Sequence, residues 1–186
     1  MKSVQPKRLR LRAAVFVIVA AVALVVDRAT KLWALSALGG QRTIRIVPGL
    51  LSLTLVHNPG ASLGMGSSMT WLISCVALAA CVLLAYLGFK STHLNWTVAL
   101  SLAFAGALGN LIDRVIYADG FLNGKVIDFL NYGWSVGNVA DIILFVSAVY
   151  IVVLICRNVP FGSEGLRPEE GSDGNRSSTS HDGHAR

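Results

Sequence analysis

Charge is scarce in this 186-residue sequence: Asp, Glu, Lys and Arg make up 14% of it, hydrophobic residues 54%, and the mean hydropathy is +0.61. An ordinary soluble domain of this length is less apolar, so the composition points to a membrane protein. Cysteine is scarce too. Cys75, Cys81 and Cys156 all fall inside apolar runs, which excludes a secreted disulfide framework or a C-x-x-C metal site and leaves them as small apolar residues. There is no H-E-x-x-H, and His57, His93, His181 and His184 lie in unrelated places, so neither a zinc peptidase nor any other bound metal is expected. Residues 13–26 and 69–89 contain no charged residue at all.

The charge that is present is unevenly placed. Lys2, Lys7, Arg8, Arg10 and Arg12 precede the first apolar run, so the net charge of +6 reads as membrane orientation rather than nucleic-acid binding. A bilayer core takes about 20 mostly apolar helical residues. Four segments qualify, roughly 13–38, 69–89, 94–112 and 139–156. The expected fold class is therefore an all-α integral membrane protein, a four-transmembrane-helix bundle. The first segment has the outline of a signal peptide, but Asp27, Arg28 and Lys31 interrupt it before any small-residue cleavage site, so it is read as a retained span. Four spans put both termini on one side, and the basic residues place that side in the cytoplasm, with loops 39–68 and 113–138 outside. Trp33, Trp71 and Trp134 then fall near outer span ends and Trp96 near an inner one, where interfacial tryptophans belong. In the first outer loop, Leu51-Ser-Leu-Thr-Leu55 alternates apolar and polar residues after Pro48-Gly49, which suggests a short strand. The stretch 157–186, rich in Gly, Ser and charge, is expected to be a disordered cytoplasmic tail.

Polar residues collect at one depth. Fifteen residues separate Arg12 from Asp27 and sixteen separate Arg157 from Asp141, which puts each carboxylate about 22–24 Å from the inner boundary. Asn110, seventeen residues beyond His93, reaches about 25 Å. Three helices thus bring Asp27, Asn110 and Asp141 to one level near the outer surface. Such residues are costly in a span unless they face protein or water, so each is a functional candidate. Asp27 has an ordinary alternative in an i,i+4 pair with Lys31; Asp141 has no basic residue within a turn. Ala99, Ala103, Gly106 and Asn110 share one face, where small residues let a neighbouring helix approach and Asn110 can bond across the contact. Arg114, four residues past Asn110, continues that face with Asp113 beside it, either in the site or as a pair closing the helix end. Asp128 sits in the apolar stretch "KVIDF". If that stretch dips back to the bundle, Asp128 meets Asp141 in a partly desolvated pocket. Two such carboxylates share a proton and supply a general acid and a general base for water attack on a peptide bond.

The rival signals are weaker. Gly60-Ala-Ser-Leu-Gly64 fits the G-x-S-x-G pattern with His57 nearby, but a nucleophile elbow needs a strand-turn-helix setting in an α/β sheet and an acid partner for the histidine. A transporter would carry polar residues through the whole depth of the membrane, whereas here they cluster at one end and the second span has only Thr70 and Ser74.

"DRATK" (Asp27 to Lys31), "NPGAS" (Asn58 to Ser62), "GALGNLIDR" (Gly106 to Arg114), "VIDF" (Val126 to Phe129) and "NVAD" (Asn138 to Asp141) resemble, in order and spacing, the five motifs of bacterial prolipoprotein signal peptidase, or signal peptidase II. The resemblance covers about residues 13–156. It implies an inner-membrane aspartyl endopeptidase, the target of globomycin, that works without a cofactor. Its partners would be membrane lipid and diacylglyceryl-modified prolipoproteins, cut just before the lipobox cysteine by a monomer. Carried across residue by residue, it implies a catalytic pair of Asp128 and Asp141. Asn58, Gly60, Asn110, Arg114, Asn138 and Ala140 would position substrate and dyad, and Asp27, Lys31 and Asp113 would support the site. Asp128 is preferred to Asp113 as the partner of Asp141 because Arg114 should keep its neighbour Asp113 ionised and paired. The family's first outer loop also contributes a small β-rich cradle, which suits residues 44–56, and small residues interchange at the position of Ser62. Two features depart from the family pattern: Ala105 stands where a glycine is frequent, and only 13 residues lead from Asp128 to Asp141.

Overall fold

The computed structural model describes residues 4–40, 42–60 and 69–162. Helix α1 (Val4–Ala37) is followed by strands β1 (Thr43–Val47) and β2 (Leu51–Asn58), helices α2 (Thr70–Lys90) and α3 (Leu94–Ile116), strands β3 (Val126–Asn131) and β4 (Val136–Gly137), and helix α4 (Val139–Cys156). All four helices, α1 over Leu9–Ala37, are long and apolar enough to cross a membrane. They match the segments expected from hydropathy, except that α3 continues to Ile116, because Asp113 and Arg114 are buried against protein instead of marking an interfacial end.

Helix α3 is the hub, packed against α1, α2 and α4. More than half of its spanning window is buried, 56%, against 11–17% for the others. The outer three therefore turn apolar side chains outward, as lipid-facing helices must. The small residues of α3 set the spacing: a Cβ on Gly106 would stand 2.7 Å from Leu144 and 2.8 Å from the Ala140 carbonyl.

The expectation of an all-α protein with a cradle confined to the first loop needs correction. The strands form one antiparallel sheet in the order β1-β2-β3-β4, and half of them come from the second loop. Residues 126–129 are buried throughout, so this strand reads as a plain apolar run without the alternation that marks a half-exposed one. The sheet is bolted to the bundle by Ala34, Leu38 and Phe129, with Leu53, Leu55, Leu130 and Val139 around them.

The opposite end is closed by the first residues after α4. Trp96 Nε1 donates to the Val159 carbonyl (3.0 Å), Thr92 N donates to the Phe161 carbonyl (3.0 Å), and the Trp96 and Phe161 rings meet edge to face. Residues 158–161, expected in the tail, are held in place; the tail beyond 162 lies outside the described residues.

Candidate active site

The site is built where α1 ends and α4 begins. Asn138 caps α4 through a reciprocal box: its side chain accepts from Asp141 N (3.1 Å), and Asp141 Oδ2 accepts from Asn138 N (3.0 Å). This pins the Asp141 carboxylate at a helix N-terminus, where negative charge is favoured. The same Asn138 donates from Nδ2 to Asp128 Oδ1 (2.6 Å) and Asn110 Oδ1 (3.1 Å), while Asn110 Nδ2 donates to Asp141 Oδ1 (2.9 Å). One asparagine thus ties Asp128 on β3 to Asp141 on α4.

Strand register brings the other arm. Val56 is opposite Asp128 and Asn58 opposite Val126, so Asn58 lies diagonally across from Asp128 on the same face. Its Nδ2 donates to Asp128 Oδ2 at 2.9 Å, and its Oδ1 accepts from Gly60 N. Consecutive strand residues face opposite sides, so His57 points away from this site. Ser62 and Ala61 lie outside the described residues.

Beneath the two candidate carboxylates is a buried ion cluster. Lys31 Nζ lies 3.0 Å from Asp27 Oδ2 and 2.8 Å from Asp113 Oδ2, and Arg28 pairs with Asp113 Oδ1. Asp27 accepts from Ala140 N (3.0 Å) and Asp113 accepts from Ile127 N (3.2 Å). Each supporting carboxylate therefore holds the amide of the residue just before a candidate aspartate, and Lys31 joins the two holds. Lys31 also donates to Asn110 Oδ1 at 3.0 Å. A Cβ on residue 109 would stand 2.6 Å from Asp27 Oδ2, so Gly109 is what lets α1 approach here.

Two expectations change in detail. The i,i+4 pair of Asp27 and Lys31 exists, but as part of a four-residue network. Asp113 is paired with Arg28 and Lys31, not with its neighbour Arg114, which donates to the Gly60 (2.6 Å) and Pro59 (3.4 Å) carbonyls and so ties β2 to α3. Arg28 was missed as a site residue; its place in the polar run after Val26 was the available signal.

These residues line a cavity of about 590 Å³, with a polar floor of Asn58, Asn110, Arg114, Asp128 and Asp141. Its wall of Tyr132, Trp134, Ile142, Leu144 and Phe145 is apolar and aromatic, and sequence reasoning did not identify it. Burial pushes the Asp128 carboxyl up to about 6; the Asp141 charge adds to the rise, while hydrogen bonds from Asn58 and Asn138 oppose it. Burial, and to a lesser degree Asp141, also pushes the Tyr132 phenol up.

Asp128 and Asp141 are thus joined through an asparagine on one cavity, and comparison with known proteins places the chain among peptidases. The family model described as signal peptidase (SPase) II matches residues 19–157. The chain belongs to the signal peptidase II family. The peptidase is 65% identical over 162 residues to a lipoprotein signal peptidase of Bifidobacterium longum subsp. infantis, covering 87% of this chain and 89% of the relative. It is 38% identical to the lipoprotein signal peptidase of Rhodococcus jostii, covering 81% and 76%. A solved structure described as a bacterial membrane enzyme superposes with a TM-score of 0.68 at 26% identity, covering 84% of this chain and 93% of that one. The peptidase is thus a multi-pass membrane protein of a family that removes signal peptides from lipoproteins.

Proposed function

We propose that this chain is an intramembrane aspartyl endopeptidase that cleaves diacylglyceryl-modified prolipoproteins immediately before the lipidated cysteine, with Asp128 and Asp141 as its catalytic pair. The observation that carries this reading is the pair itself: two carboxylates from different elements, bridged by Asn138, on the floor of one cavity. Asp128 begins the reaction protonated, in keeping with its raised pKa, and Asp141 is the base. Asp141 takes a proton from water as the hydroxyl attacks the scissile carbonyl carbon, and Asp128 gives its proton to the carbonyl oxygen. In the reverse exchange, Asp141 protonates the departing amide nitrogen and Asp128 recovers a proton from the diol as the carbon–nitrogen bond breaks. Asn58, Asn138 and Asn110 hold the carboxylates, and Arg114 holds the Pro59-Gly60 segment beside them.

The excess of Lys and Arg before the apolar run of α1 supports cytoplasmic termini, with the sheet and the site near the outer face of the inner membrane. The small residues Gly60, Ala61, Ser62 and Gly64 then serve close approach to substrate, and Ser62 is no nucleophile.

The test is a gel-shift cleavage assay with purified protein in detergent and a diacylglyceryl-modified precursor. Asp128→Asn and Asp141→Asn should each abolish cutting, Ser62→Ala should retain it, and EDTA should leave it unaffected. Cutting by Asp128→Asn together with a dead Ser62→Ala would overturn the mechanism.

A further inference from the structure

The donor side chains around the two carboxylates are already engaged. Asn58 and Asn138 donate to Asp128, Asn110 donates to Asp141, and Arg114 donates to the Pro59 and Gly60 carbonyls. These bonds hold the dyad and the strand beside it, but they leave the scissile carbonyl oxygen with only the Asp128 proton as it gains charge. An oxygen that takes on charge is stabilised most by donors fixed in place beforehand.

The cavity wall holds a donor of this kind. Tyr132 lines the same cavity as Asp128 and Asp141 and directly follows the last residue of β3. Its phenol feels the Asp141 charge, and among the described residues its hydroxyl has no hydrogen-bond partner. Burial, with Asp141 adding to it, pushes the phenol up, so the hydroxyl keeps its proton wherever a carboxylate pair works. The turn that carries it is fixed at several points. Asn131 pairs with Val136 across the β3–β4 ladder, Tyr132 N donates to the Ser135 carbonyl (2.8 Å), and Gly133 N donates to Asn131 Oδ1 (2.8 Å). Gly133 has a φ of +87°, which a side chain would resist. The Tyr132 ring stacks on Trp134 with centroids 6.3 Å apart. The phenol is therefore held before any substrate arrives, as a donor acting in the transition state must be.

We infer that Tyr132 is a third catalytic residue, whose hydroxyl donates a hydrogen bond to the scissile carbonyl oxygen as that oxygen becomes part of the diol. This rests on the function proposed above. No bond to the phenol is made or broken: Asp141 still takes the proton from water and Asp128 still gives its own to the carbonyl oxygen. The short connection from Asp128 to Asp141 then has a use, because it leaves the turn bearing Tyr132 little slack.

The experiment compares steady-state cleavage of a diacylglyceryl-modified precursor by the full chain and by Tyr132→Phe, which removes the hydroxyl and keeps the stacked ring. In the variant kcat should fall about a hundredfold, the lower end of the cost of one lost oxyanion donor, with KM and the unfolding midpoint little changed. A lipopeptide in which a hydroxyethylene group replaces the scissile amide mimics the diol, and it should bind Tyr132→Phe more weakly by a similar factor. The uncut precursor should bind equally well to Asp141→Asn with and without Tyr132→Phe, since the bond is made only in the transition state. An unchanged kcat, or a lowered kcat with unchanged affinity for the hydroxyethylene lipopeptide, overturns the role of Tyr132 and leaves the dyad standing. Wild type that cuts no lipid-modified precursor overturns the proposed function and the role of Tyr132 with it.

Discussion

Asn138 is the residue on which the site turns, because it caps α4, orders Asp141 and donates to Asp128 at once. On the catalytic role proposed for Asp128 and Asp141, losing this preorganised donor should cost on the order of 10²–10³ in rate, the range for a lost oxyanion-hole donor, and loss of an N-cap costs about 1 kcal/mol. Asn138→Ala should therefore lower kcat by about that factor while thermal unfolding shows only a modest loss. Asp128 carries a separate pH signature. The folded chain keeps its proton up to about pH 6, whereas an unfolded chain releases it near 3.8. Between these values the folded state binds more protons, so stability falls as pH rises through the window and is level above it, a change of about 3 kcal/mol. Unfolding followed from pH 4 to 7 should show this decline in wild type and a flatter profile in Asp128→Asn. If activity needs the protonated carboxyl, kcat should fall as pH rises past about 6 in the same preparation.

At the scale of elements, the helices are legible from hydropathy because lipid imposes a minimum length of apolar chain. The strands are only partly so. β2 shows its alternation at 51–55, but β3 is covered on both faces and looks like any short apolar run. The ion cluster is what registers α1 against α3, β3 and α4. Lys31 sits between two buried carboxylates, and removing one member of a buried ionic set strands the rest, at about 3–5 kcal/mol. Lys31→Met should lower the unfolding midpoint strongly, and Asp27→Asn combined with Lys31→Met should recover part of the loss. A double variant no more stable than Lys31→Met would show that the charges are not energetically joined.

At the scale of the molecule, the two ends of the bundle are closed differently. The sheet covers the end that holds the site, while the other end is clasped by Trp96, Thr92 and the segment around Phe161. An aromatic pair contributes about 0.5–1.5 kcal/mol beyond its buried area. Phe161→Ala should lower the unfolding midpoint by a few degrees without changing KM, since the clasp lies at the end of the bundle opposite the site. A raised KM with unchanged stability would mean that the clasp communicates with the site.

The sequence by itself determined the spans, the common depth of Asp27, Asn110 and Asp141, and the family, because helical rise and apolar length are local quantities and the five motifs are written in the chain. Only the tertiary structure decided which charges pair. Arg114 is adjacent to Asp113 in sequence, yet Asp113 pairs with Arg28, 85 residues away; a helix sends consecutive side chains about 100° apart, so neighbours in sequence face different partners. It also decided that Asp128 lies on a strand paired with β2, and that Trp134 and Phe145 line one cavity. Those facts depend on sheet register and on how closely α4 can approach Gly106, and neither is a property of any single segment.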